Sequence, residues 1–316
     1  MIPAEQKIER MIAIARMYYE QDMNQSQIAK ELGISRPLVS VLLTEAKACG
    51  IVKITINDIG VNREKMAKCL KERFDLNHVI LVLDANNAGE TNKAVANEAF
   101  FYCFGKKNAN KSVGIGWGSM MGCMADLAET MDDEKRNKGY IFPLTGGISS
   151  VIRGYHTNEI VRMIGEKTGT DVHYLYFPAF FDETADLEYI KGMEDFQFIN
   201  QLWNSMDVAL ISISNYPSYP DVGVKYRFGN DLMKKNAVGR LLAYYYDIQG
   251  NLIAPWINGA MQPDMQQLRS SGQVVAVCST QLRPECVIGA LCTNVIKTIL
   301  IPESLAKKVI QTLTTE

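Results

Sequence analysis

Apolar residues recur at helical spacing through the first fifty positions and then change to short continuous runs. Residues 4–20 place Ile8, Met11, Ile12, Ala15, Tyr18 and Tyr19 on one face, which predicts a first helix. In residues 24–50 two shorter helices are predicted on either side of a tight turn. Asn24 caps the first, with Gln27 three positions on at capping-box spacing, and Ile28, Ala29 and Leu32 form its apolar face. Gly33 supplies the turn, since glycine reaches positive φ without a Cβ clash. Ser35 caps the second helix, Pro37 stands in its first turn, where no N–H is needed, and Gly50 closes it. Val39, Leu42, Leu43 and Ala46 fall on one face of this helix, leaving Arg36, Ser40, Thr44 and Lys47 for the other. A strand over 51–56 is expected as half of a wing, with a boundary at 57–60.

From residue 63 the pattern alternates. A helix over 63–74 precedes the apolar run Val79–Leu83, which reads as a buried strand. Further strands are predicted at 111–115, 140–144, 173–177, 208–212, 274–278 and 298–301. Helices are predicted at 90–104, 119–131, 158–168, 195–206, 284–293 and 302–313. Strands that alternate with helices argue for a mostly parallel sheet covered on both faces. The expected class is α/β: a winged-helix-like helix-turn-helix domain at 1–57 and a Rossmann-like α/β/α domain at 58–316.

Charge changes little. The net charge of the 316 residues is −2, and the first 56 are nearly balanced, so the composition gives no basic coat for nucleic acid. DNA binding is expected from the helix pair alone. The second helix of such a pair enters the major groove and presents its N-terminal residues to base edges. Arg36 suits guanine, Ser40 and Thr44 suit a base or a phosphate, and Ser35 with the first-turn N–H groups suits a phosphate. The candidate DNA-binding residues are Gln25, Gln27, Ser35, Arg36, Pro37, Ser40, Thr44 and Lys47. Seven scattered cysteines without a CxxC pair read as reduced, buried thiols of a cytoplasmic protein. Three histidines, none at i,i+4 spacing, give no expectation of a metal. No apolar run is long enough to cross a membrane, the start does not read as a signal peptide, and no cofactor is expected.

Open parallel sheets bind ligands at the carboxyl ends of their strands. Three turns there carry suitable chemistry: Gly114 to Ser119, Thr145-Gly146-Gly147, and Cys278 to Gln281 with Arg283 just beyond. Glycines, hydroxyls and an arginine suit a phosphate, and Ser119 stands at a helix N-terminus. The first turn fits neither a dinucleotide fingerprint nor a nucleophile elbow. Trp117 and Trp256 fit either a pocket wall or a core.

The chain resembles the SorC-type sugar-binding transcriptional regulators almost end to end. The resemblance rests on the opening IARMYYEQDMNQSQIAKELGISRPLVSVLLTEAKACGIVKITI, then VGIGWGSMM, FPLTGG, LYFPAF, NAVGRLLAYYYDIQGN and VVAVCSTQLRPECVIGALCTNVIKTILIPESLA. It implies a DNA-binding domain joined to an effector domain akin to phosphosugar isomerases. It also implies a homodimer or homotetramer and a phosphorylated sugar as effector. Gly116, Trp117, Gly118 and Ser119 match the phosphate-cradling turn. Thr145, Gly146 and Gly147 match a second ligand loop, with Tyr155, His156 and Asn158 at the polar positions after it. Arg283 stands where the family usually has lysine, and Asp247 joins the expected effector set.

Departures from the family pattern shift the expected ligand. Arg240 replaces a common acid, Ser279-Thr280 replace Gly-Gly, and Cys292 replaces arginine. Arg240 and Arg283 without that acid make a more positive pocket and suggest a more anionic effector. Two other readings stay open: a pocket that has drifted to a non-sugar ligand or none, and a phosphosugar isomerase or deaminase with Asp247, Glu159 or His156 as base.

Overall fold

The computed structural model describes residues 4–52, 59–105, 108, 110–130, 139–149, 154, 156–218 and 224–315. The chain separates into two compact units, Met1–Ile59 and Gly60–Glu316.

The first unit contains α1 (Ala4–Tyr19), α2 (Gln25–Glu31) and α3 (Arg36–Ala48). Their small core joins Met11 and Ile14 of α1, Ile28 and Ala29 of α2, and Val39, Leu42, Leu43 and Ala46 of α3. The caps form as the residue types require. Asn24 Oδ1 accepts from the Ser26 and Gln27 N–H groups, and Gln27 Oε1 accepts from Asn24 N at 2.9 Å. Ser35 Oγ accepts from Leu38 N, and Gly33 turns the chain at φ +62°. Val52 N donates to Ala46 O at 3.0 Å. The rest of the expected wing strand lies outside the described residues.

The second unit opens within α4 (Ile59–Arg73), of which all but the first residue belongs to it, followed by β1 (His78–Val82), α5 (Ala88–Phe104), β2 (Val113–Ile115), α6 (Ser119–Thr130) and β3 (Tyr140–Pro143). Next come α7 (Thr157–Thr168), β4 (Asp171–Val172), α8 (Thr184–Lys191), α9 (Glu194–Asn204) and β5 (Val208–Asn215). Then follow α10 (Val224–Phe228), α11 (Asp231–Lys234), β6 (Gly239–Leu241), β7 (Tyr244–Tyr246) and α12 (Met265–Ser270). The last elements are β8 (Gln273–Val277), α13 (Pro284–Cys292), β9 (Thr298–Pro302) and α14 (Glu303–Thr315).

The parallel strands run in the order β1-β9-β8-β5-β2-β3-β4. Alternate residues feed opposite layers. Ala209, Ile211, Val274, Ala276, Ile299 and Ile301 face α9, α12, α13 and α14. Val208, Leu210, Val275, Val277 and Leu300 face α5, α6 and α7. Such strands are buried on both sides, which is why they read as continuous apolar runs.

Three expectations are corrected. The strand expected at 173–177 is instead Asp171–Val172, and the following segment is held by Asn158, whose Nδ2 donates to Leu175 O and whose Oδ1 accepts from Leu175 N. Tyr174 and Tyr176 in that segment are exposed, so its apolar look is not core burial. The antiparallel β6–β7 hairpin on the far end of β5 was not expected, because strands of three residues carry too little alternation to read. Among the described residues the cysteines form no disulfide, but Cys49 and Cys69 are exposed rather than buried. Burial raises the Cys103 thiol to about 12 and keeps it protonated. Among the described residues no helix is long and apolar enough to cross a membrane, and no His, Cys, Asp or Glu group could hold a metal.

Candidate functional site

Strand order reverses between β2 and β5: β2 continues to β3 and β4 on one side, while β5, β8 and β9 extend on the other. A crevice opens at the carboxyl ends of strands at such a point. Four connections meet along this edge: the β2–α6 turn, the loop after β3, the end of β5 and the loop after β8.

The β2–α6 turn is held by its neighbour strand. Gly116 N donates to Leu210 O at 2.9 Å, and Ser212 Oγ donates to Trp117 O at 2.6 Å. Gly118 sits at φ +120°, where a Cβ would also collide with Ser212 Oγ. Only glycine meets both conditions. Ser119 opens α6 and is exposed, so the positive end of that helix begins at an exposed residue on a fixed frame. A cleft of about 660 Å³ starts at Ser119 and Gly154 and runs beside Lys93 and Cys123.

The loop after β3 is packed backbone to backbone. Gly146 N donates to Met261 O at 3.1 Å, and Gly147 N donates to Phe177 O at 2.9 Å. Thr145 is 1% exposed, and its Oγ1 has no hydrogen-bond partner; nor has the buried Oγ1 of Thr157 or of Thr280. Buried hydroxyls without partners are uncommon and ask for an explanation such as a ligand. Thr280 was a noted departure, but neither it nor Thr157 was a candidate; both stand beside candidates, Ser279 and His156.

Other expected residues have distinct placements. Arg240, in β6, is 4% exposed; its guanidinium stands 5.8 Å from the Trp117 ring, and Nη1 donates to Leu242 O at 3.0 Å. Ser279 is buried in the loop after β8. Arg283 is exposed, and its Nη2 donates to the carbonyls of Tyr216 and Val238, tying the end of β5 to β6. His156 is exposed at the cap position of α7. Tyr155 lies outside the described residues. Asn158 uses both ends of its amide on Leu175, which makes it a clamp for that segment. Asp247 likewise gives both carboxylate oxygens to Asn251, at 2.9 Å each. Glu159 forms a two-pronged pair with Arg162, at 2.7 and 2.9 Å. Two of the three bases considered for an enzyme are therefore engaged in structural contacts.

In the first unit, Ser35, Arg36, Pro37, Ser40, Thr44 and Lys47 are exposed on one side of α3, with Gln27 exposed and Gln25 half-buried on α2. Thr44 donates its hydroxyl hydrogen to Ser40 O at 3.0 Å, which leaves its oxygen as an acceptor. Lys47 Nζ stands 5.9 Å from the Tyr19 ring. Leu38 and Val41 share the exposed face at 40% and 51% exposure and were missed. Val41 stands three positions before Thr44, a spacing that carried the signal for it.

The family described as "Putative sugar-binding domain" matches residues 61–311. The chain belongs to that family. Among its relatives, the sorbitol operon regulator of Klebsiella pneumoniae is 27% identical, with 90% of this chain and 92% of the relative covered. The deoxyribonucleoside regulator of Bacillus subtilis is 26% identical, covering 98% and 99%. The crystal structure of the full-length sorbitol operon regulator SorC matches with a TM-score of 0.69 at 24% identity, over 96% of this chain and 98% of that one. These relatives are named as regulators, the first of an operon, and the resemblance to SorC-type regulators read from the sequence holds.

Proposed function

We propose that this protein is a cytoplasmic, DNA-binding transcriptional regulator of a carbohydrate operon, switched by a phosphorylated sugar. Residues 1–57 bind operator DNA through α3, and residues 58–316 bind the effector and join the subunits. The observation that carries the effector reading is the edge at β2, β3 and β8. There a glycine turn leads to a helix N-terminus, and buried threonine hydroxyls lack partners in the adjoining loops. A phosphate needs N–H and O–H donors converging on one point, and this edge supplies both. Gly116, Trp117, Gly118 and Ser119 form the phosphate cradle. Thr145, Gly146, Gly147 and Ser279 line the crevice, with Arg240 and Arg283 adding charge and His156 at the rim; Tyr155 joins this set from the family resemblance alone. Asn158 and Asp247 act as positioning residues.

On the DNA side, Arg36 reads a base, Ser35, Ser40, Thr44 and Lys47 fix α3 on the duplex, and Gln25 and Gln27 approach the backbone. The exposed Leu38 and Val41 meet thymine methyl groups. A homodimer or homotetramer pairs two copies of α3 on a repeated operator. For the effector to regulate, it binds the two subunit arrangements with unequal affinity.

The test is thermal stability of the full chain against phosphorylated sugars and their unphosphorylated parents, followed by binding to its own upstream DNA and to random DNA. A ligand at 100 times its Kd adds about 2.7 kcal/mol. Stabilisation by a sugar phosphate but not its parent, together with release from or tightening on the upstream DNA, is expected. No stabilisation by any sugar phosphate overturns the effector reading, and equal affinity for random DNA overturns the regulator reading.

A further inference from the structure

One side chain of the second unit has no place in the account so far. Arg227, in α10, is 2% exposed, yet its Nε and Nη1 have no hydrogen-bond partner. Its guanidinium lies between the rings of Phe180, at 4.8 Å, and Phe228, at 5.0 Å. Among the described residues, the side chains that bear on its charge are Tyr245, Tyr226 and Tyr244, none of them a carboxylate. Burial holds its pKa below the usual arginine range, but a guanidinium keeps its proton at any ordinary pH. A lone buried cation is costly, and aromatic faces offset only part of that cost. The N–H of Nε and the two of Nη1 still await an acceptor, and a guanidinium suits the oxygens of a phosphate or carboxylate.

Arg227 is connected to the crevice. Phe180 packs on Trp117 of the β2–α6 turn at 5.7 Å, and Trp117 faces Arg240 at 5.8 Å. The residue before Phe180, Ala179, donates its N–H to Gly147 O at 2.8 Å, in the loop after β3. Two buried arginines therefore flank one aromatic pair beside the two loops assigned to the effector. The end of α10 is fixed as well. Trp256 N donates to Arg227 O at 2.6 Å, and a Cβ on Gly229 would collide with the Trp256 ring.

We infer that the effector carries a second anionic group, received by the guanidinium of Arg227 while the first sits at the N-terminus of α6. The inference rests on the sugar-phosphate reading and narrows it to sugars charged at both ends: bisphosphates, or phosphorylated sugar acids. Binding supplies a counter-ion that none of the described residues provides, and Arg227 selects against monophosphates of the same sugar.

The experiment is calorimetric titration of the full-length protein with glucose, fructose and ribose, each offered as monophosphate, as bisphosphate and as the phosphorylated acid where one exists. Parallel titrations use the R227Q and R227M variants. The wild type is expected to bind a doubly anionic form about tenfold or more tightly than its monophosphate. The preference for bisphosphate or for acid identifies the second group. Both variants are expected to keep the monophosphate affinity, lose the preference, and melt no lower than the wild type when unliganded, because a buried lone charge has been removed. Equal wild-type affinity for singly and doubly charged forms overturns the inference and leaves the sugar-phosphate reading intact. A preference that survives in R227Q and R227M overturns the role of Arg227. Absence of binding by every phosphorylated sugar overturns both. The wild-type comparison needs no variant, so a variant that fails to fold does not shield the inference.

Discussion

Thr145→Val separates a ligand-facing hydroxyl from a structural one by the sign of two effects. Thr145 follows β3, is 1% exposed, and has an Oγ1 without a partner. Valine keeps the branched shape and deletes the hydroxyl. In the unliganded protein the deletion removes a polar group that was buried without compensation, a state that costs about 1–3 kcal/mol. Stability should therefore hold or rise. With a phosphorylated effector in place, the same hydroxyl donates to a charged oxygen, a bond that contributes about 1.5–3 kcal/mol. Its loss should weaken effector affinity about 10- to 150-fold. Urea denaturation at unchanged m-value reads the first effect, and calorimetric titration of the effector reads the second. A variant that is destabilised by 1 kcal/mol or so while binding its effector normally would refute the reasoning. Thr145 would then have a structural partner, and the loop after β3 would leave the site.

Three other perturbations test the remaining parts. Arg36→Ala should cost about 1–3 kcal/mol on the specific operator and relax sequence preference there; an equal loss on random DNA, measured by fluorescence anisotropy, would reduce Arg36 to a phosphate contact. Gly118→Ala should destabilise the second unit by about 1–3 kcal/mol through its positive φ alone, with more from the collision with Ser212, seen as a lower melting temperature. Ser119→Asp should abolish the response to an anionic effector by like-charge repulsion and leave affinity for operator DNA unchanged in the same anisotropy assay.

The helix pair was readable almost to the residue, because its caps, turn and apolar face are all local features. Asn24, Gly33 and Ser35 do at close range what their side chains allow. The parallel strands were readable for a related reason: burial on both faces leaves a run of apolar residues, as in Val208–Ile211. The site was harder. Asn158, Asp247 and Glu159 are polar residues of the kind a ligand wants, and only three-dimensional neighbours reveal that Leu175, Asn251 and Arg162 already occupy them. Arg227 shows the reverse. In the stretch VKYRF it looks like a surface cation, and its burial comes from Phe180, nearly fifty positions earlier. Arg283 likewise reads as a pocket cation, yet its guanidinium bridges two backbone carbonyls.

The glycines at the crevice have a consequence for how such a pocket can change. A Cβ on Gly154 would lie 2.7 Å from Gly118 O, and one on Gly146 would strike Pro178 O. Main chain thus rests on main chain where these loops meet, with no side chain between them. At these two points the scaffold does not depend on which side chains project into the space beside it. Ser279 and Thr280 take no part in these two contacts, so an exchange at either is expected to leave that backbone in place. If the crevice is the effector site proposed above, it is a fixed socket with replaceable contacts, and a new ligand asks for a handful of substitutions rather than new walls.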